Sequence, residues 1–205
     1  RVVLSGEGAD ELNYELRTWS RSDGQSMETY DVYFPSTDPN TRMVSVFGQN
    51  ADLLQIRGWS NADFDGSASL AAVHQSVYGA DLAHDRNLDV LGVEVVYDSY
   101  VTIGSEDAAD GVPNLLGFDS AGFNSAAGIY MDNGVWFVTP DSPLASMGSG
   151  STLGHRVTSL SIEAGQGVEI LCNVQWYDGS GTVHETRNIY WNNYGLGGGD
   201  NGCPS

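Results

Sequence analysis

A period of two constrains this chain more than any other feature. From residue 168 to 177, Val168, Ile170, Cys172, Val174 and Trp176 fall on one side, and Glu169, Asn173 and Gln175 on the other. Successive side chains of an extended strand point to opposite faces, so such a run is read as a strand with one buried face. A second stretch, 93–103, sets Val93, Val95, Tyr97, Val101 and Ile103 against Glu94, Asp98 and Thr102 and predicts another strand. Shorter candidates lie at 30–34, 43–47, 53–57 and 157–162. Asn133-Gly134, between the apolar runs 128–131 and 135–138, is the strongest hairpin signal, because a type I′ turn needs two residues that tolerate positive φ. Asp178-Gly179-Ser180-Gly181 joins 168–177 to 182–191 in the same way. Many short strands punctuated by Gly, Asn and Asp predict an all-β fold, an antiparallel β-sandwich of jelly-roll type. Helical spacing is confined to 67–78, where Leu70, Val73 and Val77 follow a Ser67 cap; a short helix and an irregular loop both fit.

Charge narrows the partners. The chain carries 27 acidic and 8 basic side chains, every basic one an arginine, for a formal charge of −19. Nucleic acid and anionic membrane surfaces are bound through clustered cations, which this chain lacks. No apolar run approaches the roughly 20 residues a spanning helix needs. The absence of lysine removes Schiff-base chemistry and lysine isopeptide crosslinks. With 40% hydrophobic residues, the chain has enough apolar surface for one sizeable core.

The ends read differently from the middle. Residues 1–26 form an N-terminal extension, 27–194 the β-sandwich, and 195–205 a Gly-rich tail. Val2, Val3 and Leu4 make a short β-prone run ahead of Gly6 and Gly8; Leu12, Tyr14 and Leu16 then alternate. An apolar terminal strand behind a glycine hinge is the form of a strand donated to another sheet, with an ordinary first strand as the alternative. Cys172 and Cys203 are expected to pair, closing a loop worth roughly 3–4 kcal/mol and tying the tail down. Arg1 at the first position and the paired cysteines suggest a processed, extracellular chain.

Chemical motifs are sparse. Asn61, Asp63, Asp65 and Gly66 reproduce the first half of a calcium loop, but Ala72 stands where the bidentate Glu belongs. A surface turn is preferred, with bound calcium as the alternative and no other cofactor expected. Glu106, Asp107 and Asp110 read as a solvated acidic loop. His74, His84, His155 and His184 form no close ligand pair, and no Gly-x-Ser-x-Gly elbow occurs. The Gly197-x-Gly199-x-x-Gly202 match opens no helix. No pair among the acids is marked for glycoside hydrolysis. There is no Asn-x-Ser/Thr sequon. Trp136 and Trp176 lie on buried-looking strand positions, which leaves Trp59, after a glycine, as the candidate sugar-stacking ring.

The order of several segments resembles a known group. They are Thr29-Tyr30-Asp31-Val32-Tyr33, Val44-Ser45-Val46-Phe47-Gly48 and Tyr97-Asp98-Ser99-Tyr100-Val101-Thr102-Ile103-Gly104, then 133–141, Arg156-Val157 and Val174-Gln175-Trp176. Together they are similar to uncharacterised secreted β-domain proteins of aquatic, planctomycete-like bacteria and some algae, in which "YDSWVTIG" precedes "WFVTPD" and "RVLIAQLT". The likeness spans about residues 27–178 and loosens over 156–162. It implies an exported β-domain at the cell surface or in the surrounding matrix, and it brings no assigned catalytic activity with it.

The sequence therefore points to a non-enzymatic extracellular subunit. It is expected to assemble head to tail with other copies through Val2, Val3, Leu4, Leu12, Tyr14 and Leu16. The alternative is a secreted module for polysaccharide binding or calcium-dependent adhesion.

Overall fold

The computed structural model describes residues 2–4, 12–60, 69–78, 80–118, 122–124, 128–146 and 152–193. Among these residues eleven strands follow in chain order: β1 (Val2–Leu4), β2 (Asn13–Ser20), β3 (Ser26–Phe34), β4 (Arg42–Trp59), β5 (Leu70–Ala71), β6 (Tyr100–Val101), β7 (Asn114–Leu116), β8 (Ile129–Phe137), β9 (His155–Glu163), β10 (Gly167–Tyr177) and β11 (Val183–Asn192). They form two antiparallel sheets. Sheet A has the order β1-β2-β3-β9-β6, and sheet B the order β11-β10-β4-β8-β7, with β5 paired to β4. The β-sandwich expected from the alternation is the observed architecture. Val32 and Leu160 from sheet A meet Val46, Ile56, Trp136 and Ile170 from sheet B in one core, all fully buried.

β10 keeps the predicted faces, with Val168, Ile170, Cys172 and Val174 at 0% exposure. The hairpin to β11 also forms as read. Asp178 accepts from the Ser180 and Thr182 amides at 2.9 Å each and from Ser180 Oγ at 2.6 Å, and Gly181 takes a φ of 82°. Those hydrogen bonds, together with His184, hold the Asp178 carboxyl below the ordinary carboxylate range.

The two short strands expected at 43–47 and 53–57 are one long strand, β4. Its ladder to β8 slips between Gln49 and Leu54, where Asn50 adopts a φ of 49°. Buried Asn173 on β10 fastens this bulge, donating to the carbonyls of Phe47 and Asp52 at 2.8 Å each. Its own Oδ1 accepts from the Asn188 amide at 2.9 Å. Alternation had assigned Asn173 to a polar face; an irregular ladder needs that polarity inside.

Three sequence expectations are corrected. Asn133-Gly134 is no turn: β8 runs straight through it, pairing Asn133 with Gln49 and Gly134 with Gly48. Neither residue has the positive φ a type I′ turn requires. The glycines serve close approach instead, since a Cβ on Gly48 would lie 2.1 Å from the Met131 carbonyl oxygen. The strand over 93–103 shrinks to β6. Val93–Val96 is a single helical turn, and the Tyr97 amide bonds to the Val93 carbonyl at 3.2 Å. Of 67–78, the described part holds no helix; Leu70–Ala71 is β5, and Val77 is exposed.

The domain boundary moves as well. β2 is an interior strand between β1 and β3, and Leu12 and Tyr14 belong to the core. Residues 12–26 are therefore part of the sandwich. The tail 195–205 lies outside the described residues. Residues of the connection from β5 to β6, among them His74 and Tyr97, lie against sheet A's outer face. Tyr97 stacks on Trp19 at 5.0 Å, and the Ser161 hydroxyl donates to the Tyr97 carbonyl at 2.5 Å. Among the described residues no helix is long and apolar enough to cross a membrane.

Candidate functional site

The six residues expected to carry assembly do come together, within one chain. β1 lies along β2 with Val2 opposite Leu16, Val3 opposite Glu15 and Leu4 opposite Tyr14. Leu12 and Tyr14 are buried, and Leu16 packs half-buried against the core. Tyr14 sits in the seam between the sheets, 6.0 Å from the Tyr30 ring and 5.4 Å from the Trp191 ring. Its hydroxyl is buried with no hydrogen-bond partner among the described residues, and burial raises its pKa. The first strand is thus an edge strand beside an aromatic seam.

A second cluster was not anticipated. On the outer face of sheet A, Arg156 of β9 donates to Asp31 at 2.8 Å, to the Tyr33 hydroxyl at 2.8 Å and to the Tyr100 hydroxyl at 3.2 Å. It also bonds Glu106, which pairs in turn with Arg86. Arg17 of β2 meets the other oxygen of Asp31. Burial opposes the Arg156 charge, but Asp31, the two tyrosines and Glu106 outweigh it and raise its pKa. Asp31 is 1% exposed. Around it, Thr29 Oγ1 accepts from Trp19 Nε1 at 3.0 Å and lies 2.6 Å from Ser161 Oγ. This clasp joins β2, β3, β9, β6 and the loop at Glu106. Its cation bonds carboxylates and phenols of the same fold, so the arrangement is that of a fastener. An arginine inside the apolar run of β9 and an aspartate between Tyr30 and Val32 were the signals; Glu106 was read as solvated.

Two titratable groups lie buried nearby. Asp98, 1% exposed, accepts from the Ser76 amide at 2.6 Å and is pushed up to about 6 by burial. His155, at 0% exposure, is pushed down to about 4 by burial. Among the described residues no three His, Cys, Asp or Glu side chains gather as a metal group. Asn61, Asp63 and Asp65 lie outside the described residues. Trp59 is not in a loop: it ends β4, half-buried, opposite Gly167 and Leu70. Cys172 is a fully buried thiol, raised to about 12 by burial, and Cys203 lies outside the described residues.

Two shallow depressions mark the outer face of sheet B, one beside Ser45, Phe137 and Gln175 and one beside Phe47, Gly134 and Leu116. Neither brings together a nucleophile and a base. No family model, curated protein or solved structure matches the chain.

Proposed function

We propose that this chain is a non-catalytic extracellular structural subunit that polymerises head to tail by exchanging β1 between copies. The observation that carries the reading is the place of β1. It lies at the edge of sheet A and is held there along β2 by three residue pairs. Residues 5–12, with Gly6 and Gly8, connect it to β2. A neighbouring copy can present the same three residues to the same β2 edge in the same register. Each ladder then gains what it loses, and only the connecting segment changes course. Passing strands from one copy to the next is a heterologous contact, which builds an open filament or layer unless its rotation closes a ring. The strongly acidic composition supports an extracellular setting.

The formal charge of −19 works against assembly at low ionic strength and less at high, because the screening length falls to about 10 Å at 0.1 M salt. Sedimentation velocity across a salt series is the direct test. The full chain should form large particles that grow with salt, and a variant lacking residues 1–8 should remain a folded monomer. A double variant, Val3→Cys with Glu15→Cys on a Cys203→Ser background, should give covalent ladders on a non-reducing gel. Internally closed monomers alone, or polymers that survive the deletion, would overturn the proposal.

A further inference from the structure

The connection from β5 to β6 carries its polarity inside out. Its 3-10 turn, Arg86–Leu91, has no buried residue, and the helical turn Val93–Val96 buries only Val95. Val90 is 87% exposed and Leu91 50%, with Leu88, Val93 and Val96 partly open beside them. A second tip lies at Val77 and Tyr78, 93% and 55% exposed. The acids of the same stretch are instead held by partners in the fold. Asp85 accepts from the Asn87 amide at 2.8 Å, Asp89 bonds His84 Nε2 at 2.8 Å, and Glu94 accepts from the Ser22 amide at 3.2 Å.

Both tips are braced from below and tied to each other. Asp98, two residues after the helical turn, accepts from the Ser76 amide at 2.6 Å, at the base of the Val77 tip. His74 Nε2 lies 3.3 Å from the Glu94 carbonyl oxygen, and Tyr97 stacks on Trp19 at 5.0 Å. A fixed backbone therefore holds aliphatic side chains outward. The segments outside the described residues carry Phe64, Met147, Tyr194 and Leu196 as their large apolar side chains, one or two to a segment, too few to cover both tips. An open apolar surface of this kind marks a contact with something outside the chain.

We infer that the two tips dock on a zwitterionic lipid surface. Val77, Val90 and Leu91 enter the boundary between headgroups and acyl chains, and Tyr78 sits at headgroup level. Shape and charge select this occupant. The exposures describe prominences, so a rigid protein would need two matching pits, whereas a fluid bilayer closes around them. Aliphatic side chains offer a sugar ring no flat face to stack on. Anionic lipid is disfavoured, because the chain carries −19 and Arg86, the one arginine between 77 and 96, is already paired with Glu106. The surface lies on the connection, not on β1, and a single copy presents it complete.

Flotation of the full chain with phosphatidylcholine vesicles on a density gradient tests this, with a vesicle-free gradient as the blank. The protein should float with the vesicles to the same extent at low and high salt. Adding phosphatidylserine to the vesicles should weaken flotation at low salt, and salt should restore it. Val90→Asp with Leu91→Asp should weaken binding at least about tenfold at an unchanged urea midpoint, Val77→Asp should weaken it by itself, and Val183→Asp, at an exposed aliphatic on β11, should float as the parent does. No flotation with phosphatidylcholine, stronger flotation with the anionic vesicles at low salt, or undiminished flotation of the Val90, Leu91 and Val77 variants would each overturn the inference.

Discussion

Replacing Arg156 by Met isolates what the buried clasp contributes to stability. Arg156 is 5% exposed and Asp31 1%, so the pair sits in a poorly solvated layer between sheet A and the connection above it. Removing one partner of a buried pair costs about 3–5 kcal/mol, because the other charge is left uncompensated. Arg17 still touches Asp31 in the variant, which offsets part of that loss. The hydroxyls of Tyr33 and Tyr100 each lose a donor, at about 1 kcal/mol apiece. The expected net destabilisation is about 3–4 kcal/mol. Glu106→Gln provides the contrast. The Glu106 side chain is 41% exposed, so it recovers hydration when its partner changes, and the cost should stay below about 1 kcal/mol. Urea unfolding followed by tryptophan fluorescence reads both. The midpoint should fall sharply for Arg156→Met and barely for Glu106→Gln, with similar slopes. Equal losses, or a loss under about 1 kcal/mol for Arg156→Met, would show that burial of the clasp is not what gives it strength.

Ile170→Ala should cost about 2–5 kcal/mol in the same assay, since Ile170 is fully buried at the centre of sheet B; a loss near zero would mean β10 faces the other way. Gly48→Ala should cost about 1–3 kcal/mol, because the new Cβ would lie within 3.0 Å of Met131 on β8 and of Leu54 across the bulge of β4 itself, and unchanged melting would refute the close approach. Asp98 and His155 act in opposite senses over one pH range. With its pKa raised to about 6, Asp98 holds a proton that the unfolded chain releases near 4, so its contribution to stability falls as pH rises from about 4 to 6. With its pKa lowered to about 4, His155 stays neutral where the unfolded chain is protonated, so its contribution rises as pH goes from about 4 to 6.5. Relative to the parent, Asp98→Asn should therefore gain stability across that interval and His155→Gln should lose it, by up to about 3 kcal/mol each; parallel pH profiles for all three proteins would refute both assignments.

The strands were legible where one face met the core and the other met water. β10 shows the apolar side of this best: Val168, Ile170, Cys172 and Val174 are buried as read, although Glu169 and Asn173 on its other face are buried too. β3 and β9 were found for the same reason, although their second face is also buried. Thr29, Asp31, Ser159 and Ser161 look outward by alternation yet are buried: Ser161 bonds Tyr97 and Ser99 of the connection, Thr29 bonds Trp19 and Ser161, and Asp31 bonds Arg156 and Arg17. Period-two reading reports which side is apolar; it does not report what lies above the polar side. The same blindness hid Arg156, whose partners on β3, β6 and the Glu106 loop are distant in sequence.

The misread turn and the misread strand share a physical cause. Asn133-Gly134 and residues 93–103 satisfied short-range rules whose outcome long-range pairing overrode. For Asn133-Gly134 the competitor was β4, a strand long enough to keep β8 extended beyond the point where a hairpin would turn back. Gly48 opposite Gly134 then made the close crossing sterically feasible. For 93–103 the competitor was the demand of Asp98 and Ser99 for buried partners: Asp98 takes the Ser76 amide, and Ser99 Oγ takes the Ser161 amide at 3.0 Å. A regular strand would have turned Asp98 and Ser99 to opposite faces. One turn of helix before them lets both settle into the layer between the connection and sheet A. Where alternation places a polar residue opposite water and the fold supplies a cover, the hydrogen-bond needs of that residue decide the backbone locally, ahead of its neighbours' apolar pattern.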